Sequence, residues 1–160
     1  MNATLSRRPL RRFWGWGVAC EHLTQEESAR IGMMVQMLGG QITDRTEPQV
    51  SDFTLPAPRI APPAALAAMF SDTPLDRLNH ALGKSYADLA RMWLRQVPHV
   101  PDWVAYPDDE QAVIDILDWA SRHNVAVIPY GGGSSVCGGV EAAVGNSYAA
   151  AVSLDMERLN

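Results

Sequence analysis

Residues 125–141 read VAVIPYGGGSSVCGGVE, an apolar run that leads directly into a glycine-rich loop. The run at 125–129 has no polar residue, which is typical of a strand buried on both faces of a parallel sheet. Glycine lets backbone amides approach a ligand closely, and consecutive amides that point inward bind anions. The stretch therefore predicts a diphosphate-binding loop at the end of a buried strand. The simpler alternative is a flexible glycine loop without a ligand.

Two common phosphate-binding motifs do not fit this loop. A P-loop needs a lysine after its glycines, and the sequence has no lysine after Lys84. The dinucleotide fingerprint needs glycines at its first, third and sixth positions, opening a helix. Counted from Gly131 the sixth position is Val136, and counted from Gly133 the third is Ser135. The loop is therefore expected to connect two strands.

The flanking sequence predicts a strand–helix–strand unit and one more strand. WVAYP at 103–107 predicts the first strand, and Asp108 and Gln111 have the spacing of a capping box at the start of a helix. The strand at 125–129 should follow by a right-handed crossover, and AAAVSLDM at 149–156 predicts the last strand. Asn124 is expected to end the helix in a left-handed conformation. The predicted apolar face of the helix comprises Val113, Ile114, Leu117, Ala120 and Ser121.

The first hundred residues predict helices interrupted by proline. Thr24 and Glu27 have capping-box spacing at the start of a helix over 24–38, ended by the glycines at 39 and 40. LPAPRIAPPAAL at 55–66 predicts an extended connector, because proline removes backbone donors. Two short helices are predicted at 74–82 and 86–96, separated by Gly83. Side chains expected to pack in the core are Ile31, Met34, Val35 and Leu38 of the first helix, and Tyr86, Tyr106 and Tyr130.

Composition limits the classes of function. The chain has 160 residues and a net charge of −5, which argues against nucleic-acid binding. Cys20 and Cys137 have no nearby cysteine, and the histidines at 22, 80, 99 and 123 lack metal-ligand spacing, so neither a disulfide framework nor a metal site is expected. No signal-peptide pattern follows the arginine-rich start, so a reducing, cytoplasmic location is expected. That start (Arg7, Arg8, Arg11 and Arg12) predicts a solvated end, with anionic-lipid contact as the lesser alternative.

The loop and its flanks resemble the FAD-binding domain of the vanillyl-alcohol oxidase/p-cresol methylhydroxylase (PCMH) flavoproteins. In that family the loop reads roughly Pro-x-Gly-Gly-Gly-Thr-Ser-x-x-Gly-Gly, and Ser134 stands where threonine is usual. RRFWGWG at 11–17, GKSYADLAR at 83–91 and AVSLDMERLN at 151–160 are similar to the alkyldihydroxyacetonephosphate synthase branch and its bacterial FAD-linked oxidase relatives.

The resemblance implies an α+β fold with a helical, proline-interrupted extension over 1–100. An incomplete PCMH-type FAD-binding domain, truncated at its C-terminus, would follow over 101–160. It implies FAD as the cofactor, with Gly138 and Gly139 turning the chain away from it. Ser134 stands where members with covalently bound flavin have histidine, which implies non-covalent FAD. The residues that would wrap the FAD diphosphate are Pro129, Tyr130, Gly131, Gly132, Gly133, Ser134 and Ser135.

The resemblance also implies a reaction. The synthases exchange the acyl group of acyl-dihydroxyacetone phosphate for a long-chain alcohol, which makes an ether-lipid precursor without net redox chemistry. The alternatives are part of an FAD-linked glycolate or D-lactate dehydrogenase, and a non-catalytic remnant or half of a split protein. Because the family's catalytic residues lie in a cap domain, no catalytic residue is expected in this chain. Besides FAD, the expected partners are the missing C-terminal half or a homodimer mate, and the last strand is expected to border an open apolar edge.

Overall fold

The structure is a computed structural model that describes residues 9–41 and 46–159. A mixed four-stranded sheet with flanking helices confirms the α+β prediction. The α-helices of the described residues are α1 (Gln25–Met37), α2 (Pro74–Asn79), α3 (Tyr86–Trp93) and α4 (Glu110–Arg122). The strands are β1 (Phe70–Ser71), β2 (Trp103–Ala105), β3 (Val125–Tyr130) and β4 (Ala150–Asp155). Short 3-10 helices lie at Val50–Asp52, Ala64–Met69 and Met156–Arg158. Across the described ranges, no helix combines the length and the apolar character that spanning a membrane requires.

The sheet has the order β1-β2-β4-β3, with β2, β4 and β3 parallel and β1 antiparallel to β2. The strand–helix–strand unit is present, but β4 lies between its two strands. All six residues of β4 are buried. The prediction that the last strand borders an open edge is therefore wrong, because hydrogen bonds to β2 and β3 and packing on both faces place this apolar strand at the centre.

The N-cap of helix α4 lies one residue later than predicted. Asp109, not Asp108, is the N-cap, and its carboxylate accepts the Ala112 amide at 2.8 Å. Asp108 instead lies 3.3 Å from the guanidinium of Arg158. Asn124 has a φ of 54°, as predicted for the residue that ends the helix.

The buried side of α4 also differs from the prediction. Ile114 and Leu117 are about half exposed, at 51% and 44%. Apolar residues occur on both sides of this helix, so periodicity alone could not predict which side is buried. The side that packs against the sheet is the one that carries the large Trp119. Ile116, Trp119 and Ala120 are buried in one cluster with Ala150, Val152 and Leu154 of β4. Ala112 is the fourth buried residue of the helix.

Helix α1 has the predicted ends but not the predicted environment. Its capping box is present, and Gly39 has a φ of +76°. No residue of α1 is buried, and Met34 and Leu38 are 64% and 83% exposed. The prediction that its apolar face packs in the core is therefore wrong.

Two of the three tyrosines pack as predicted. Tyr106 and Tyr130 are buried at the ends of β2 and β3. Tyr86, the first residue of α3, is 88% exposed, and it is Met92 of this helix that packs in the core beside Leu78. The packing role predicted for Tyr86 is wrong.

Candidate functional site

Three parallel strands end side by side at one edge of the sheet. Tyr106 follows β2, Tyr130 ends β3 and Asp155 ends β4. Open sheets bind ligands outside the carboxyl ends of their strands. The glycine loop leaves β3 at this edge and runs on to β4, so it connects two strands as the sequence predicted.

The glycines of the loop have different structural requirements. Gly133 is buried with a φ of +69°, and a Cβ placed on it would collide with the Tyr130 hydroxyl. Gly138 has a φ of +78°, which suits a turn at this point. A Cβ on Gly131 would meet no atom within 4 Å. Glycine is thus required by the fold at 133, whereas at 131 the space beside the backbone is open.

Two carbonyls at the start of the loop accept hydrogen bonds from other parts of the chain, whereas three successive amides donate to no described residue. The Ser135 carbonyl accepts the Lys84 amide at 2.7 Å, and the Gly132 carbonyl accepts the Arg11 guanidinium. The amides of Gly132, Gly133 and Ser134 donate to no residue that the structure describes. Unpaired amides that follow one another in a loop bind anions. The loop therefore offers three donors to a phosphate group.

Residues from the N-terminal half of the chain contact Tyr130 and Asp155 at the start of the loop and at the end of β4. The Tyr130 hydroxyl donates to the Asn79 carbonyl at 2.9 Å. The His80 ring packs against the Tyr130 ring at a tilt of 46°, with centroids 4.0 Å apart. The His80 Nε2 lies 2.9 Å from a carboxylate oxygen of Asp155, and its Nδ1 lies 2.7 Å from the Asp76 carbonyl. The Asp76 carbonyl can only accept a hydrogen bond, so the His80 Nδ1 donates to it.

The buried hydroxyl of Tyr106 makes a further contact between the sheet and helix α2. Tyr106 donates to the Asp76 carboxylate at 3.2 Å. Burial, and then the charges of Asp76 and Asp155, raise the pKa of Tyr106 far above its ordinary value, so the hydroxyl keeps its proton. The ends of the three strands are in this way fixed to helix α2.

A cavity of about 70 Å³ lies between the loop and residues 9–12. Its walls include Arg11, Lys84, Tyr130 and Gly132. Burial, and then the nearby Arg11 charge, lower the pKa of the Lys84 ammonium to about 8. Arg11 and Lys84 line the same cavity as Gly132, together with Arg12 and the carboxylates of Asp76, Asp155 and Glu157. Arg7 and Arg8 of the arginine-rich start lie outside the described residues.

The seven predicted site residues form one continuous segment, but their side chains face different ways. Pro129 is exposed within β3. The Tyr130 side chain is held under the loop by Asn79, so it supports the backbone. Ser135 Oγ accepts the Gly139 amide at 3.1 Å and closes the loop on itself. The glycines at 131 and 132 and Ser134 are exposed, while Gly133 is buried and Ser135 is half-buried.

Sequence reasoning missed the residues that the fold brings to the loop from far along the chain. Arg11, Asn79, His80 and Lys84 all precede residue 101 and reach the loop only through tertiary packing. No spacing rule connects them to the glycines. The described residues include no group of three or more histidine, cysteine, aspartate or glutamate residues that could hold a metal ion.

Glu141 ties the end of the loop to α3. Its carboxylate lies 2.6 Å from the Arg91 guanidinium and 2.8 Å from His99 Nδ1. Hydrogen bonds from Arg91 first, and from His99 second, lower the pKa of Glu141 to about 2 against the opposing effect of burial. The ionised carboxylate therefore stabilises the connection between the loop and the N-terminal layer.

The Glu141 contacts predict an acid-sensitive component of stability. Because the folded-state pKa lies below the ordinary 4.5, the stabilisation is complete above pH 4.5 and disappears as the pH falls toward 2. Glu141→Gln should lower the free energy of unfolding by about 1–3 kcal/mol at pH 7 and flatten its decline between pH 4.5 and 2. Urea unfolding at several pH values measures both effects. Asp118→Asn on the exposed side of α4 is the matched control, and identical pH profiles for Glu141→Gln and wild type would contradict the assignment.

Comparison with known proteins identifies the domain. Residues 101–160 match the family model described as an FAD binding domain. Those residues belong to an FAD-binding domain of the PCMH type. FAD is the cofactor of such domains, and the predicted cofactor is confirmed. The proposed division of the chain between residues 100 and 101 stays a prediction, and β1 from the first part pairs with β2 from the second.

The chain is similar to several proteins named alkyldihydroxyacetonephosphate synthase. The chain is 39% identical over 83 residues to the alkyldihydroxyacetonephosphate synthase of Trypanosoma brucei brucei, covering 52% of the chain and 14% of the relative. It is 36% identical over 95 residues to the synthase of Dictyostelium discoideum, covering 59% and 15%. A solved alkyldihydroxyacetonephosphate synthase structure matches with a TM-score of 0.75 and 27% identity, over 91% of this chain and 32% of that chain. The chain thus spans about a seventh of the length of the curated relatives.

The loop of this FAD-binding domain fits the diphosphate of FAD. A diphosphate needs several hydrogen-bond donors and space for close approach of the backbone. The free amides at 132–134 supply the donors, and the open space beside Gly131 supplies the room. Arg11 and Lys84 line the same cavity as Gly132 and add positive charge to it.

Proposed function

We propose that the chain is the FAD-binding portion of an alkyldihydroxyacetonephosphate synthase-like flavoprotein, and that the loop at 129–135 binds the FAD diphosphate. The observation that carries this proposal is the set of free amides at Gly132, Gly133 and Ser134, beside carbonyls that other residues already occupy. When bound, FAD supplies a flavin ring that acts as an electrophile or electron acceptor. The residues of this chain hold and orient the cofactor.

The proposed roles follow from the orientations of the side chains. Gly131, Gly132, Gly133 and Ser134 present backbone to the diphosphate, and Tyr130 supports that backbone through Asn79. Pro129 is the exposed residue of β3 directly before the buried Tyr130, and Ser135 fixes the end of the loop by accepting the Gly139 amide. No residue of this chain is assigned a catalytic role.

For the whole protein we propose the exchange of acyl for alkyl on dihydroxyacetone phosphate. The support is that the similar proteins are synthases by name, and that the match to a solved synthase covers 91% of the chain, including most of the part before residue 101. The test is to incubate the protein that carries this chain with acyl-dihydroxyacetone phosphate and a long-chain alcohol. Formation of the ether product without reduction of the flavin is expected. Bleaching of the flavin by glycolate or D-lactate, with no ether product, would instead indicate a dehydrogenase.

The proposal predicts that FAD is bound without a covalent bond to the loop. Serine at 134 offers no imidazole nitrogen for a histidyl–flavin bond. Precipitation of the FAD-loaded protein with acid should leave all the flavin in the supernatant, as measured by its absorbance. Ser134→Thr keeps the hydroxyl and should bind FAD as wild type does. A yellow pellet from the wild-type protein would contradict the prediction.

A further inference from the structure

The diphosphate loop has no cation of its own. Residues 129–140 contain no lysine, arginine or histidine, whereas a diphosphate brings negative charge into the site. In a P-loop a lysine within the motif supplies the opposite charge. The residues around these glycines supply no such positive charge.

The fold brings Lys84 to this position from another part of the chain. The Lys84 amide donates to the Ser135 carbonyl at 2.7 Å, which fixes the Lys84 backbone against the loop. Gly83 makes this approach possible, because a Cβ there would collide with the same carbonyl. The Lys84 side chain lines the cavity that Gly132 and Arg11 also line.

The Lys84 ammonium has no carboxylate partner among the described residues. Its Nζ donates only to the carbonyls of Arg12, at 3.1 Å, and Phe13, at 3.4 Å. A half-buried cation is ordinarily paired with an anion. The pKa of Lys84 is lowered because burial removes water from its ammonium and because the Arg11 charge repels it.

The nearby acids already have other donors. Asp88 accepts the Ser85 hydroxyl at 2.8 Å and lies 3.7 Å from Arg91. Asp76 accepts the Tyr106 hydroxyl, and Asp155 pairs with His80. Glu157 also lines the cavity, and none of these carboxylates accepts a hydrogen bond from the Lys84 ammonium among the described residues. Lys84 is therefore open to an anion that comes from outside the chain.

We propose that Lys84 binds the FAD diphosphate and completes the site that the free amides begin. This inference rests on the proposed function of the loop. Lys84 takes the part that a lysine within the motif plays in a P-loop, but it lies in the chain just before Ser85, the N-cap of α3. Arg11 also lines the cavity and adds a second positive charge.

The test measures FAD affinity by flavin fluorescence with the full chain. Lys84→Met removes the charge at similar length and keeps the amide that bonds to Ser135, so the loop retains its anchor. FAD should bind at least about tenfold more weakly to Lys84→Met, while Lys84→Arg should stay within about threefold of wild type. Arg30→Met removes one positive charge from exposed α1 and should bind FAD normally.

A second set of ligands separates a contact with phosphate from a general structural role. ADP carries the diphosphate without the flavin, and riboflavin carries the ring without phosphate. Lys84→Met should lose affinity for ADP by the same factor as for FAD and bind riboflavin as wild type does. Equal loss for riboflavin would show a structural role and overturn the inference. Lys84→Gln repeats the measurement if the methionine variant unfolds.

The measurements distinguish failure of the Lys84 assignment from failure of the proposed FAD-binding function. If Lys84→Met and Lys84→Gln bind FAD and ADP like wild type while Gly133→Ala does not, Lys84 is not a ligand and the loop assignment stands. If the folded wild-type chain binds neither FAD nor ADP, the proposed function fails and the Lys84 assignment fails with it.

Discussion

Gly83→Ala is expected to abolish FAD binding and to lower the free energy of unfolding by about 3 kcal/mol. A Cβ on Gly83 would overlap the Ser135 carbonyl oxygen and lie 3.1 Å from a carboxylate oxygen of Asp88. The carbonyl cannot withdraw without breaking its 2.7 Å hydrogen bond to the Lys84 amide. The substitution therefore separates α3 from the loop. Urea unfolding and flavin fluorescence measure the two losses.

Gly131→Ala is the matched control for this substitution. A Cβ at 131 meets no atom within 4 Å, so the free energy of unfolding should change by less than about 0.5 kcal/mol. Stability of Gly83→Ala equal to that of wild type would show that the contact between α3 and the loop is not required.

Gly133→Ala is expected to lower the free energy of unfolding by about 2–3 kcal/mol and to weaken FAD binding at least tenfold. Two causes act together. The φ of +69° disfavours any residue with a Cβ, and that Cβ would overlap the Tyr130 hydroxyl and lie 2.6 Å from its Cζ. The Tyr130 ring cannot swing away freely, because its hydroxyl bonds to the Asn79 carbonyl. The loop must change shape instead, and its amides lose their arrangement.

A double-mutant cycle with Tyr130→Phe separates these two causes. Removing the hydroxyl releases the ring from Asn79 and relieves the closest contact, so the double variant should be more stable than the sum of the single effects predicts. The backbone strain at 133 remains, so recovery should be partial. Strict additivity would mean that the Tyr130 hydroxyl does not restrict the residue at 133.

Local signals in the sequence predicted the elements that local physics determines. The apolar run at 125–129 became β3, and Asn124 took the left-handed conformation that ends α4. Thr24 and Glu27 form the capping box of α1. Such features depend on residues within one turn or one strand, so a single stretch of sequence contains the cause.

Features that depend on tertiary contacts could not be predicted. The sequence gives no rule by which β4 would lie between β2 and β3, because strand order is set by pairing over long separations. Helix α4 is apolar on two sides, and only the sheet decides that Trp119 rather than Leu117 faces inward. The same limit applies to the site. The glycines were evident, but the contact between Lys84 and Ser135 exists only in the folded chain.

The central claim is that the free amides of the glycine loop bind the FAD diphosphate, and amide NMR tests it most directly. A ¹⁵N-labelled sample of the chain is titrated with FAD and, separately, with ADP. The amide signals of Gly132, Gly133 and Ser134 should show the largest shifts with both ligands, while the amides of exposed α1 stay in place. Saturable FAD binding that leaves these three signals unmoved would contradict the claim.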